Sequence, residues 1–377
     1  MGLRRRTLIA ALGAGASAAA LNGCARVPLT SVTPFPRPYS RRPWAAPRIS
    51  MDGVIRVVVG HRPYRPAGFV VRSERIDGKT LVHNYGHGGG GISLSWGSSA
   101  LAVRETRHLP PGAAAVMGSG IMGLTSARLL QDAGWQVTIY TRDTWRHTTS
   151  NVAAGEWSPF SVYDVNAIGP DFLPQFLWAA RVSHHAYTNL TGADYGIRWL
   201  ETWSLSEHPF QAGEPTDPLD DLFAYRRNLG PGEHPFPTPY ARCFVTMQID
   251  PGVLLRRLVR DFQLAGGRFV MRRFATADDV LSLREPLIFN CTGLGSRELF
   301  GDTQLTAAKG QLVFLPPDPA IDYMLFGSGK GILYMFPRAD VLLLGGTFQR
   351  DDFSLHPEAE QTERIVTGHQ RIFAEFG

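Results

Sequence analysis

The chain has 377 residues, of which 44% are hydrophobic and 40 are glycine, and its formal net charge is +5. This composition is typical of a globular α/β protein with many glycine loops, and it excludes an intrinsically disordered chain. Three positive charges, at positions 4–6, lie in an N-terminal segment without acidic residues, so the remainder carries +2 (5 − 3). No basic stripe follows, which argues against nucleic-acid binding, and no apolar run is long enough to span a bilayer.

The first 24 residues have the features of an export signal. Arginines at positions 4–6 precede an apolar run rich in alanine and glycine, which ends in Leu21-Asn22-Gly23-Cys24. The paired arginines resemble a twin-arginine signal, and Leu-x-Gly-Cys resembles a lipoprotein processing site that would leave a lipid on Cys24. We therefore predict a signal peptide over 1–24, a Pro- and Arg-rich tether over 25–52, and a periplasmic location, free or anchored to the membrane. A plain N-terminal membrane anchor is the alternative.

The hydrophobic pattern of the body predicts alternating strands and helices, and hence an α/β fold class. Strands are predicted at 53–60, 68–76 and 79–86, then a helix near 92–103 after four glycines, a polar connector over 104–112, and strands at 113–117 and 137–140 on either side of a helix. Farther along, helices are predicted at 171–190, 251–265, 276–283 and 357–374, a loop entering a strand over 235–249, and strands at 268–272, 286–291, 310–315, 321–326, 331–336 and 340–347.

The turn after the strand at 113–117 reads Gly118-Ser119-Gly120-Ile121-Met122-Gly123, a GxGxxG fingerprint. The first glycine permits a tight bend, the second lets the backbone approach a pyrophosphate, and the third lets the helix pack on the strand. Free N–H groups at the helix N-terminus then attract the phosphates. Because a second strand follows and ends at Arg142-Asp143, we predict an adenine dinucleotide, NAD or FAD, with one of these two side chains near its ribose.

Five segments resemble the D-amino-acid oxidase family, which uses FAD. They are TTSNVAAGEW at 148–157, NCTG at 290–293, LGGTFQ at 344–349, HNYGHGGGGISLSWG at 83–97 and GHRPYRP at 60–66. The last two lie near the C-terminus in that family but come first here, so the sequence resembles a circular permutation. Termini that lie close together at the surface make such a rearrangement tolerable.

The resemblance implies a permuted, D-amino-acid-oxidase-like fold with two domains. A Rossmann-like FAD-binding domain would comprise 112–160 and 266–300, and the segment 53–103 would carry the substrate arginine and the flavin glycine loop. An α+β substrate domain, built on a mixed or antiparallel sheet, would comprise 161–265 and 301–377.

The resemblance also assigns roles to single residues. It implies that Arg62 binds the substrate carboxylate as a bidentate pair, a geometry that lysine cannot provide, and that the Gly89 carbonyl accepts a hydrogen bond from the substrate amine. Tyr334 would contact the same carboxylate or, alternatively, be a core tyrosine of a strand. The implied FAD contacts are Gly118, Gly120, Ile121, Gly123, Arg142, Asp143, Thr148, Thr149, Ser150, Gly155, Phe274, Thr292, Gly293, Gly88, Gly91, Ile92 and Ser93.

The implied reaction is oxidative deamination of a D-amino acid by hydride transfer to FAD, giving a 2-oxo acid, ammonia and hydrogen peroxide. Phe348 stands where D-aspartate-specific relatives carry arginine, and an apolar ring disfavours a second carboxylate, so neutral substrates are favoured. The electron acceptor is oxygen or another acceptor, since an FAD-dependent glycine, sarcosine or imino-acid dehydrogenase stays open. A non-catalytic envelope binding lipoprotein and an NAD-dependent dehydrogenase are also compatible with these motifs.

The remaining histidine and cysteine signals favour structural roles. His83 and His87 have zinc-like spacing, but the glycines beside them argue against a helical metal site, and no metal is predicted. Cys291 lies in an apolar strand pattern, so we expect free thiols there and at Cys243 rather than a disulfide.

Overall fold

The computed structural model describes residues 45–210, 218–328 and 331–374. The predicted signal peptide, Cys24 and residues 25–44 of the tether lie outside this part of the chain. Among the helices of the described residues, none combines the length and the apolar character that crossing a bilayer requires.

The described residues form strands and α-helices in an irregularly alternating order. The strands are β1 (Arg56–Tyr64), β2 (Val70–Ile76), β3 (Lys79–Tyr85), β4 (Ala113–Met117), β5 (Gln136–Thr141), β6 (Ile197–Ser206), β7 (Ala224–Leu229), β8 (Tyr240–Ile249), β9 (Arg268–Met271), β10 (Leu287–Asn290), β11 (Thr306–Leu315), β12 (Tyr323–Gly327), β13 (Leu333–Pro337), β14 (Leu342–Gly345) and β15 (Gln349–Arg350). The helices are α1 (Gly91–Arg104), α2 (Ile121–Asp132), α3 (Thr149–Val152), α4 (Phe172–Asn189), α5 (Pro251–Leu264), α6 (Ala277–Leu281), α7 (Gly295–Phe300) and α8 (Ala359–Phe373).

Six strands form one sheet in the spatial order β2-β3-β10-β4-β5-β9. All neighbours pair in parallel except β2 and β3, which are antiparallel. The central strands β4 and β10 read AAAVM and LIFN and are almost wholly buried, as is usual for parallel strands covered by helices on both faces. Helices α1, α2 and α5 pack in series, α1 against α2 and α2 against α5. The parallel strands bring their carboxyl ends to one edge of the sheet.

The second sheet has nine strands in the order β1-β11-β14-β13-β12-β6-β8-β7, with β15 paired to β11. Its pairs are antiparallel except β12 with β6. Strand β1 pairs with β11 along its whole length, from Arg56 opposite Phe314 to Tyr64 opposite Thr306. This register ties the N-terminal segment of the body to a strand about 250 residues later in the chain.

The observed sheets and helices confirm the predicted α/β class. Helix α5 begins where it was predicted, because the Asp250 side chain accepts hydrogen bonds from the N–H groups of Gly252 (3.0 Å) and Val253 (3.3 Å) with Pro251 at the first helical position. Three strands were missed: β6, β7 and the two-residue β15. Strand β6 carries an alternation that could have revealed it, whereas β7, AYRRNL, is an exposed strand held by its pairing with β8 and has no apolar face to detect.

Candidate active site

The carboxyl ends of the parallel strands open onto one cavity of about 1050 Å³. Residues directly after β3, β4, β5, β9 and β10 line it, as do side chains from β1 and from the middle of the nine-stranded sheet. Ligands of parallel sheets bind at this edge, where helix N-termini present free N–H groups. With the exception of Gly123, every residue predicted to contact FAD or substrate lines this cavity.

The three fingerprint glycines serve different needs. Gly118 has φ +102°, and a Cβ there would lie 2.6 Å from the carbonyl oxygen of Cys291. A Cβ at Gly123 would lie 1.9 Å from the Gly118 carbonyl oxygen, so this glycine lets α2 approach β4 and does not line the cavity. Gly120 differs, since its Cβ would meet only Ser150 Oγ at 3.2 Å and Thr148 Cβ at 4.0 Å. Two glycines are therefore required by the fold, and Gly120 keeps space open in the cavity.

Residues 148–150, at the start of α3, face the start of α2 across the cavity. Ser150 Oγ accepts a hydrogen bond from the Ile121 N–H at 3.0 Å, and Thr148 and Thr149 line the same wall. This places hydroxyl groups and the positive end of a helix together, a suitable setting for a phosphate.

Arg142 and Asp143, the two candidates for a ribose contact, pair with each other. Arg142 Nε lies 2.6 Å from Asp143 Oδ2, the side chains are 70% and 42% exposed, and both residues line the cavity. Both candidate side chains therefore lie at the cavity wall as an ion pair.

Three further predicted cofactor contacts follow β9 and β10. The ring of Phe274 lies 4.8 Å from the guanidinium carbon of Arg272, and Thr292 and Gly293 come directly after Cys291. The arginines at 272, 273 and 297 also line the cavity, although nothing in their local sequence had indicated them.

The polyglycine run, residues 88–91, packs against the protein as well as facing the cavity. A Cβ at Gly88 would lie 2.3 Å from the Ser161 carbonyl oxygen, and one at Gly90 would lie 2.5 Å from a methyl group of Val162. The Gly89 N–H donates to the same Ser161 carbonyl at 2.9 Å. The run therefore consists of glycine because residues 159–162 pack directly against it. The sequence had suggested only a bound ligand as the reason for these glycines.

Arg62 reaches the cavity from β1. Its Nη2 donates to the Tyr334 hydroxyl at 3.3 Å and its Nη1 to the Thr347 carbonyl at 3.2 Å, and its guanidinium carbon lies 5.6 Å from the centre of the Phe348 ring. Tyr334 is buried, and burial raises the pKa of its hydroxyl. A guanidinium and a hydroxyl are thus brought together in one wall of the cavity.

Two glycines make room for this pair. A Cβ at Gly310 would lie 2.4 Å from Nη1 of Arg62, and one at Gly345 would lie 2.0 Å from a ring carbon of Tyr334. Both glycines stand on neighbouring strands of the nine-stranded sheet, β11 and β14. Glycines on neighbouring strands indicate that a large side chain lies across the surface of the sheet. Only the strand register shows which side chain it is.

Two buried polar side chains of the cavity had been given no ligand role. Oε1 of Glu156 and Nε2 of His87 have no hydrogen-bond partner among the described residues. Burial raises the pKa of Glu156 to about 8 and lowers the pKa of His87 to about 3. His87 stacks on Phe69, with ring centres 4.6 Å apart. Glu156 stands out in the sequence only as a lone acid in the small and apolar stretch VAAGEW.

The other histidine and both cysteines have structural surroundings. His83 Nε2 lies 2.8 Å from Glu74 Oε1, and its Nδ1 lies 3.0 Å from the amide nitrogen of Asn290. Cys243 and Cys291 are free and buried.

Acidification is expected to destabilise the protein through His87. Its pKa is 6.5 in an unfolded chain and about 3 in the fold, so between these values only the unfolded state binds the proton and stability falls as the pH falls. The loss between pH 7 and pH 5 is about 2 kcal/mol. Urea unfolding at both pH values checks this, with His87→Phe, which preserves the stack on Phe69, as the comparison. Equal losses in the two proteins would contradict the assignment.

A sequence model described as FAD dependent oxidoreductase (DAO) matches residues 113–377. The match begins at β4 and leaves out Arg62 and the polyglycine run. A D-amino-acid oxidase from Streptomyces coelicolor is 34% identical over 265 residues, which are 68% of this chain and 76% of that protein. A D-aspartate oxidase from Homo sapiens is 27% identical over 265 residues, which are 67% of this chain and 73% of that protein.

Solved structures of related fold include glycine oxidases. The enzyme from Bacillus cereus ATCC 14579 has a TM-score of 0.51 and 16% identity, covering 69% of this chain and 77% of that chain. The glycine oxidase from Geobacillus kaustophilus also has a TM-score of 0.51, with 17% identity and the same coverage. At such identities the likeness shows the fold alone.

Proposed function

We propose that this chain, which belongs to the DAO family of FAD-dependent oxidoreductases, oxidises neutral D-amino acids with oxygen as the electron acceptor. One D-amino acid, one oxygen and one water would give one 2-oxo acid, one ammonia and one hydrogen peroxide. The substrate loses two electrons and two protons at its Cα–N bond, and the resulting imine is hydrolysed by water. FAD, when bound, supplies the hydride acceptor of this reaction.

The residues present fit FAD. Gly120 keeps space beside the start of α2, the hydroxyls of 148–150 stand opposite, and the N-terminus of α1 with the polyglycine run faces the same cavity. We infer that the first two features hold the pyrophosphate and the third lies along the flavin ring. The N–H groups of a helix N-terminus stabilise negative charge there.

The observation that carries the proposal is the guanidinium of Arg62 inside the cavity beside the Tyr334 hydroxyl, at 3.3 Å. A guanidinium binds a carboxylate through two parallel hydrogen bonds, which fixes the orientation of an amino acid better than a single charge. The tyrosine hydroxyl can donate a third hydrogen bond to the same carboxylate. This favours a catalytic role of the pocket over a purely binding one, because it would fix which Cα substituent faces the flavin.

Support for neutral, apolar side chains comes from the mouth of the cavity. Four large apolar residues line it while remaining between 51% and 63% exposed: Phe160, Ile332, Phe353 and Leu355. The segment carrying the last two is fixed by buried Lys309, whose Nζ lies 2.9 Å from Asp352 Oδ2, and by His61, whose Nε2 lies 2.9 Å from the Ser354 carbonyl. Exposed apolar surface at a pocket mouth favours an apolar ligand group.

We infer a periplasmic location from the twin-arginine and lipoprotein-like features of residues 1–24. That export route carries folded proteins, which suits an enzyme that must bind its cofactor first. Membrane fractionation of cells carrying the wild-type chain or Cys24→Ala tests it. Release of only the variant into the soluble periplasmic fraction is the expected result, and a cytoplasmic wild-type chain would contradict it.

We also infer that the chain is a circular permutation of its family. Support comes from the family match, which begins at residue 113, and from the contact of the two described ends, where Gln370 Nε2 donates to the Ile49 carbonyl at 3.0 Å. A rearranged variant that starts at residue 113, with residues 45–104 joined after residue 374 by a short linker, should bind FAD as the original chain does. A soluble rearranged variant that does not bind FAD would contradict the inference.

The proposed activity predicts a yellow protein whose colour bleaches with D-alanine but not with L-alanine when oxygen is absent. Admitting air should restore the colour and produce one hydrogen peroxide per substrate. D-leucine should exceed D-aspartate in kcat/KM by at least about tenfold, the discrimination expected when an unpaired charge must be buried. Bleaching that only an added dye reverses would identify a dehydrogenase, and a yellow protein that no amino acid bleaches would identify a binding protein.

A further inference from the structure

The carboxyl of Glu156 is a polar group of the cavity that the proposed substrate contacts do not use. The residue is 9% exposed, it lines the cavity, and its Oε1 has no hydrogen-bond partner among the described residues. Buried polar atoms are paired in the great majority of cases, so an unpartnered one in a cavity wall points to a ligand.

The backbone around Glu156 is fixed beside the start of α1. Ser93 Oγ donates to the Glu156 carbonyl at 3.3 Å and accepts from the Ser158 N–H at 3.0 Å. Glu156 also forms an antiparallel bridge with Gln248 of β8. The backbone of Glu156 is therefore held beside Ser93, and its side chain lines the cavity in which the proposed function puts the flavin ring.

The carboxyl is suited to hydrogen bonding in its neutral form. Burial raises its pKa to about 8, and the opposing influence is a hydrogen bond with Ser158. At neutral pH the group is mostly protonated, so it offers one O–H donor and one acceptor oxygen. The pyrimidine edge of an isoalloxazine ring alternates carbonyl oxygens and nitrogens and can pair with both.

We propose that Glu156 contacts the flavin ring of bound FAD through a neutral carboxyl and stabilises the reduced ring by donating a hydrogen bond to it. The proposal rests on the proposed placement of FAD. A neutral donor stabilises negative charge developing on the ring, whereas an ionised carboxylate at the same place would oppose it.

Two substitutions of the holoenzyme test the contact. Glu156→Gln retains a donor and an acceptor, and Glu156→Leu removes both. Spectroelectrochemical titration should show that Glu156→Leu lowers the equilibrium constant for two-electron reduction at least tenfold, about 30 mV in potential, and shifts the flavin absorption bands. Glu156→Gln should change the constant less than about threefold. If the leucine variant is insoluble, Glu156→Met is measured in its place.

Glu285→Gln is the matched control. This carboxyl is also buried, accepts from the Tyr140 hydroxyl at 3.0 Å and does not line the cavity, so its loss should leave the potential unchanged. If Glu156→Leu, or Glu156→Met in its place, has the reduction potential and absorption spectrum of the wild type, the proposal is overturned. A changed KM for the amino acid with an unchanged potential also overturns it, since the carboxyl then faces substrate. Failure of the proposed function is a separate result, in which no D-amino acid reduces the wild-type flavin.

Discussion

Replacing Arg62 by methionine is expected to lower kcat/KM for D-alanine by about 100- to 1000-fold while leaving FAD bound. The guanidinium donates to Tyr334 Oη and the Thr347 carbonyl inside the cavity, and it is the charged group proposed to bind the substrate carboxylate. Removing one partner of such a desolvated charge pair costs about 2–5 kcal/mol, and the carboxylate would then enter the cavity unpaired. Steady-state kinetics with flavin absorbance as a measure of cofactor content checks this.

Graded variants separate this role from a packing role. Arg62→Lys preserves the charge without the paired hydrogen bonds and should fall between wild type and methionine. Tyr334→Phe removes one neutral hydrogen bond and should lose only about 3- to 10-fold. Arg72→Met is the matched control, because that arginine is 58% exposed and pairs with Glu74 at 3.5 Å outside the cavity. A methionine variant at 62 that works as well as this control would refute the substrate role.

Replacing Gly120 by valine should abolish FAD retention in a protein that still folds. A Cβ at this position would meet Ser150 Oγ at 3.2 Å, the end of a short side chain that can rotate, and Thr148 Cβ at an ordinary contact distance of 4.0 Å, so the fold tolerates it. The added methyl groups occupy the space through which backbone must approach a pyrophosphate. We expect FAD to bind at least about 100-fold more weakly, a loss of about 2.7 kcal/mol. Flavin fluorescence titration gives the dissociation constant and circular dichroism reports the fold.

Substitutions at Gly123 and Gly112 serve as comparisons for Gly120→Val. Gly123→Ala would place a Cβ 1.9 Å from the Gly118 carbonyl oxygen, so it should disturb the packing of α2 on β4 and yield insoluble or unstable protein. A Cβ at Gly112 would have no atom of the described residues within 4 Å, so Gly112→Ala should behave as wild type. A Gly120→Val protein that purifies with a full complement of FAD would show that the cofactor does not pass this turn.

Local signals in the sequence were sufficient for most elements near the site. Strand β4 was predicted with its observed bounds, the turn at 118–123 followed from glycine spacing, and α5 was predicted to begin at Pro251, where the Asp250 cap is observed. These features depend on interactions within a few residues, which a sequence displays directly. Strand β7 was missed because it is stabilised by pairing with β8, and its own residues carry no periodic apolar face.

By itself, the sequence determined the α/β class, the dinucleotide turn and the motifs shared with the FAD-dependent family. Only the tertiary structure decided that Arg62 and Tyr334, 272 positions apart, lie 3.3 Å from each other. It also decided that Glu156 is buried and that one of its carboxyl oxygens has no partner within the described part of the chain. The physical reason is that turns, caps and periodicity are properties of neighbouring residues. Burial and strand register depend instead on which distant segments pack together, as β1 does with β11.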